Sequence, residues 1–126
     1  MKIGRSALQT LLLTNVAEIT FIKRRPKNDD GSLRRMICTN SNTILRSPNG
    51  RTTLNYRPAS GVLPYNIAQH NLVVTWDILM QDYRMVSMDN CDLVQQWSDN
   101  GEEFWPYFNE QFYPMSSLEK RAWMQT

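Results

Sequence analysis

Cysteine is scarce in this chain of 126 residues, and so are long apolar runs. Cys38 and Cys91 stand 53 positions apart, which gives neither a disulfide framework nor the paired spacing of a zinc ribbon. The longest aliphatic run is Leu11-Leu12-Leu13, far short of a membrane span or a signal-peptide core. Five glycines and six prolines are too few for a low-complexity chain. One histidine, His70, leaves metal and general-base chemistry short of ligands and partners. What remains, at 41% hydrophobic and 21% charged, has the balance of one small globular domain. The expectation is a protein without a membrane segment, working in the cytoplasm.

Charge of one sign is also missing, locally. Between Gly31 and Trp76 there is no acid, and between Asp89 and Glu110 there is no base. From Met1 to Trp76 eleven basic residues face three acidic ones; from Asp77 to Thr126 three basic face nine acidic. The net charge of +2 conceals this division. A split of this size predicts two oppositely charged faces, or a tail folded onto the body.

Along the chain, Ser6–Thr14 reads as a short helix with Ser6 as its cap and Leu8, Leu11 and Leu12 on one face. Val16–Arg24 and Leu33–Thr39 follow as a hairpin through Pro26 and the Asn28–Gly31 turn. Residues 40–71 form a long polar insertion, with a possible strand near Arg51–Tyr56. Leu72–Ile78 and Tyr83–Met88 make a second hairpin. Alternation there sends Leu72, Val74, Trp76 and Ile78 inward, so Trp76, Phe21, Ile19, Val74 and Met85 are the predicted core between hairpins. Asp77 and Arg84 are placed as an ion pair across it. Asp92–Trp97 reads as a helical turn, and Ser116-Ser-Leu-Glu119 opens a terminal helix with a capping box. The expected organisation is a barrel domain over residues 1–95 and an acidic, aromatic helical extension over 96–126.

The two hairpins resemble a known family. Ile19-Thr-Phe-Ile-Lys-Arg24, then Asp30-Gly-Ser-Leu-Arg-Arg-Met-Ile-Cys-Thr39, is similar to its strand ending in Phe-x-Lys, Asp-Gly turn and Arg-containing return strand ending in Thr. Leu72-Val-Val-Thr-Trp-Asp-Ile78 and Asp82-Tyr-Arg-Met-Val-Ser-Met-Asp89 are similar to its apolar strand ending in an aromatic and Asp, followed by an aromatic-Arg pair. The family is a bacteriophage-enriched group of Sm-like, SH3-type small barrels, named for similarity to WYL domains. Tyr83 stands where its members usually carry Trp. The resemblance covers roughly residues 16–95, without the Lys23–Asp29 turn or the tail, and implies a small SH3/Sm-like barrel and a viral origin with action in the host cytoplasm or the virion. With the helices read from the residues, the expected fold is mainly β, that barrel plus an N-terminal helix and a helical C-terminal extension. The resemblance transfers no site.

The residues offer no catalytic set. His70 is the single histidine and no spaced catalytic motif includes it, Cys38 sits in a predicted strand as a small apolar residue, and no phosphate loop follows a strand. A non-catalytic, cofactor-free and metal-free binding module is therefore expected. Its partner is first a host or phage protein, met by the tail aromatics Trp105, Tyr107, Phe108 and Phe112. With Pro106 preventing an uninterrupted helix, Trp97 and Trp105 are expected on the barrel and Phe108 and Phe112 outward. The alternative partner is nucleic acid, held by Lys23, Arg24, Arg25, Arg46, Arg51, Tyr56 and Arg57. A homo-oligomer joined through open strand edges is the third reading.

Overall fold

A computed structural model describes residues 1–23, 33–46, 69–98 and 102–125. A helix, α1 (Arg5–Leu12), leads into strands β1 (Val16–Ile22) and β2 (Leu33–Thr39) and a short helix α2 (Asn42–Leu45). Strands β3 (Leu72–Asp77), β4 (Asp82–Ser87) and β5 (Cys91–Trp97) follow, then helices α3 (Phe104–Gln111) and α4 (Ser117–Met124). The strands form one antiparallel sheet in the order β4-β3-β2-β1-β5. Both strand pairs are present where the sequence puts them, the predicted turn through Pro26 and Asn28–Gly31 lies outside the described residues, and the Ser116 capping box at α4 is intact. The fold is mainly β with flanking helices.

This sheet is not flat. β4 and β5 lie at opposite edges of the order, yet only Met88, Asp89 and Asn90 separate them in the chain. Four residue steps reach at most ~14 Å, whereas four inter-strand spacings in a flat sheet amount to ~19 Å. The register also sets the end of β4 beyond Thr39 of β2 and the start of β5 level with Arg34, so the sheet must coil to bring them together. A register shift between Glu18 and Ile19, where β1 meets β5, adds local bend. Among the described residues, no ladder joins β4 to β5, so the sheet is open.

Both faces of the sheet are covered, which revises the predicted core. On one face Leu8 and Leu12 of α1 meet Ala17, Ile19, Phe21, Met36, Cys38, Val73 and Val86. On the other, Val16, Ile37 and Trp76 meet Ile44 and Leu45 of α2 and the rings of α3. Trp76 thus lies on the opposite face from Ile19 and Phe21. Val74 is half-buried, and its cross-strand partner Met85 is 47% exposed. A single inward alternation cannot describe strands buried on both sides.

Three local readings are also corrected. The segment around Asp92–Trp97 is strand β5, because pairing with β1 overrides its weak helical preference and buries Cys91 and Leu93. The cap of α1 lies two residues earlier than predicted, at Gly4 rather than Ser6, and no side chain caps the helix. Pro106 is inside α3 rather than dividing the tail. It occupies the helix's first turn, where backbone N–H groups have no helical partner to lose.

Candidate functional site

The tail aromatics are core. Trp105, Phe108 and Phe112 are 0%, 1% and 3% exposed, and Tyr107 is half-buried. Phe104, Trp105 and Phe108 meet one another edge-to-face or tilted, and Phe112 continues the run to Trp123 of α4. The Trp105 indole N–H donates to the Ile44 carbonyl at 3.2 Å, tying α3 to α2. The outward set predicted for Phe108 and Phe112 is absent, because covering the second face of the sheet uses every one of these rings.

The basic candidates divide. Arg24, Arg25, Arg51, Tyr56 and Arg57 lie outside the described residues, as does the possible strand at 51–56. Arg46 is exposed just after α2. Lys23 has a more informative position. It lines a notch of about 750 Å³ with Arg34, Arg35, Arg84 and Arg121, over Phe21, Met36 and Asp77.

The notch follows from the way β2 and β3 part. Their ladder contains only Cys38↔Asp77 and Thr39↔Trp76, extended by Ile78 N–H donating to the Ile37 carbonyl at 2.9 Å. Beyond that point the chain turns away, since Ile78 and Leu79 are drawn into the second core cluster. The N-terminal half of β2 is left facing the β3–β4 hairpin across a gap. Alternation places Phe21, Arg34, Met36, Asp77 and Arg84 on one face of the sheet beside it. Met124 and Gln125 of α4 close the other side.

Five cations meet one lining acid, and they are not equivalent. Arg35 is committed to structure: it bonds the buried Glu18 at 3.1 Å and lies 4.2 Å above the Trp123 ring. Gln95 donates to the other Glu18 oxygen at 2.9 Å. Replacing Arg35 with Ala should strand a carboxylate that is 3% exposed. We expect a loss of about 1–2 kcal/mol, less than for a fully buried pair because Arg35 is itself 30% exposed. Restoring much of that loss with Glu18→Gln on the Arg35→Ala background, in urea titrations, would identify the stranded charge as its cause. Lys23, Arg34 and Arg121 have no acid within 4.0 Å among the described residues.

Asp77 is the unusual member. It is 1% exposed, and its Oδ1 accepts from the Met80 N–H at 3.0 Å. Its Oδ2 is buried without a hydrogen bond; the nearest cation, Arg84 Nε, stands 4.0 Å away. Burial pushes the Asp77 carboxyl up to about 6, more than the Met80 N–H and Arg84 pull it down. Arg84 is diagonal to Asp77, since Asp82 is its direct cross-strand neighbour.

No family model, curated protein or solved structure matches the chain. The site therefore stands on its own geometry. That geometry brings together Phe21 of β1 and Lys23 just after it, Arg34 and Arg35 of β2, and Asp77 and Arg84 of the β3–β4 hairpin. Sequence reasoning placed Asp77 and Arg84 near one another, and missed that Arg34, Arg35 and Arg121 join them. Arg121 had no local signal, because only the docking of α4 brings it there.

Elsewhere, Cys38 is fully buried and burial pushes its thiol far up, which is the environment of an inert cysteine. His70 lies in the exposed turn before β3. Among the described residues no group of three His, Cys, Asp or Glu side chains is placed to hold a metal. No described helix is long and apolar enough to cross a membrane.

Proposed function

We propose that this chain is a non-catalytic binding module for an anionic macromolecule, with single-stranded nucleic acid as the best match, and that the notch is where it binds. The observation that carries this reading is the convergence of Lys23, Arg34 and Arg121, without neutralising acids among the described residues, beside the apolar floor of Phe21 and Met36. Cationic grooves with apolar floors suit phosphodiester chains with bases attached. A protein partner at the tail aromatics loses its support, since Trp105, Phe108 and Phe112 are buried and Tyr107 is half-buried. We further propose that the curled sheet is a small SH3/Sm-like barrel of bacteriophage origin. The return of β5 to the side of β1 and the three-residue link between the edges support the barrel.

Fluorescence anisotropy with single-stranded DNA and RNA oligonucleotides tests the function. Three phosphate contacts correspond to a salt slope near −2, hence about 20-fold weaker binding at 200 mM than at 50 mM salt. The triple variant Lys23→Ala, Arg34→Ala, Arg121→Ala should remove that slope. No binding at low salt, or wild-type affinity and slope in the triple variant, would overturn the reading.

A further inference from the structure

We propose that the notch is a proton-coupled anion site, in which an anionic group draws Arg84 away from Asp77 and the aspartate takes up one proton as the ligand binds. The anion's identity, a backbone phosphodiester, rests on the nucleic-acid reading above. The coupling rests on the arrangement around Asp77. Its Oδ2 is buried with no hydrogen bond, so the carboxylate relies on Arg84 at 4.0 Å for compensation. Arg84 is 45% exposed and lines the notch, free to turn towards an incoming anion.

Lys23, Arg34, Arg35 and Arg121 line the same notch, but among the described residues Arg84 is the cation that comes within 4.0 Å of Asp77, and the other groups that face Asp77 cannot replace it. Its own turn supplies only the backbone N–H groups of Met80 and Leu79. β4 adds Asp82, which repels it, and β2 adds the Cys38 thiol, held neutral by burial. Once Arg84 engages an anion, a buried carboxylate is left beside an added negative charge, and protonation relieves both penalties. The proton comes from solvent and rests on Asp77; no bond forms to the ligand. By linkage, protonation of Asp77 must strengthen anion binding by the same factor. Since the free carboxyl titrates at about 6, the effect falls in the near-neutral range.

The test is a carbon-13 NMR titration of the Asp77 carboxyl in the full chain, alone, with sulfate, and with a thymidine 12-mer lacking terminal phosphates. Neither probe titrates between pH 5.5 and 8. Both should raise the midpoint from about 6 towards 7. Affinity for the 12-mer should then weaken about tenfold from pH 5.5 to pH 8. Asp77→Asn should bind with a flat pH profile at the stronger limit, His70→Gln should keep the wild-type profile, and Arg84→Ala should raise the midpoint without ligand. A midpoint moved by sulfate with no binding of the 12-mer keeps the coupling and removes nucleic acid as the partner. Binding of the 12-mer with a midpoint that neither probe moves overturns the coupling and leaves the nucleic-acid reading standing. A midpoint that neither probe moves, with no binding of the 12-mer, overturns both. Equal pH dependence in wild type and Asp77→Asn also overturns the coupling.

Discussion

Trp105→Ala should destabilise the protein by about 3–5 kcal/mol, the range for truncating a large buried aromatic. The ring is fully buried and in contact with Phe104 and Phe108, and its indole N–H bonds the Ile44 carbonyl. Truncation opens a cavity between α3 and the sheet and removes the side-chain tie to α2, although that carbonyl keeps a backbone N–H at the end of α2. Because a domain of this size has only about 5–15 kcal/mol of stability in all, such a loss approaches unfolding at moderate temperature. Trp105→Phe should restore part of the packing and none of the hydrogen bond. Thermal melts of the three proteins check this; a Trp105→Ala melt within a degree or two of wild type would mean α3 is dispensable to the core.

The second large effect has the opposite sign. Asp77→Asn should stabilise the protein at pH 7.5. The carboxyl titrates at about 6 in the fold against an ordinary value of 3.8, so between those values the folded state binds more protons than the unfolded. Stability is then lost as pH rises from about 4 to about 6, and stays lost above. The full difference is worth up to ~3 kcal/mol. Asn keeps an oxygen for the Met80 N–H but brings a buried amide in need of a partner, so a net gain of about 1–3 kcal/mol is expected. Denaturant titrations should show the two proteins converging near pH 4. A variant less stable than wild type at pH 7.5 would show that the ionised carboxylate is held by contacts stronger than Arg84 at 4.0 Å.

Both hairpins were legible because their β-branched runs and turn residues act locally. The terminal capping box was legible for the same reason. β5 was not. Cys-Asp-Leu-Val-Gln-Gln-Trp has little preference of its own, and becomes a strand by pairing with β1, more than seventy positions earlier. The tail failed differently: its aromatics point to an interface, and nothing local says that the sheet has a second bare face for Phe104, Trp105, Phe108 and Phe112 to cover. The candidate site was half visible. Asp77 and Arg84 belong to one hairpin, whereas Lys23, Arg34 and Arg121 arrive from the other hairpin and the last helix, through tertiary packing that no spacing encodes.

The place of β5 also sets an order of events in folding. β1–β2 and β3–β4 close short loops and can pair early, within microseconds for hairpins of this kind. β5 must wait. Its ladder partner β1 is already paired on its other side with β2, and closing that long separation costs chain entropy before any contact offsets it. Until then β1 presents a bare edge of Val16, Ala17, Ile19 and Phe21, a template for any passing strand. The three-residue link shortens this exposure, because it delivers β5 to the far edge as soon as β4 has formed and the sheet has curled.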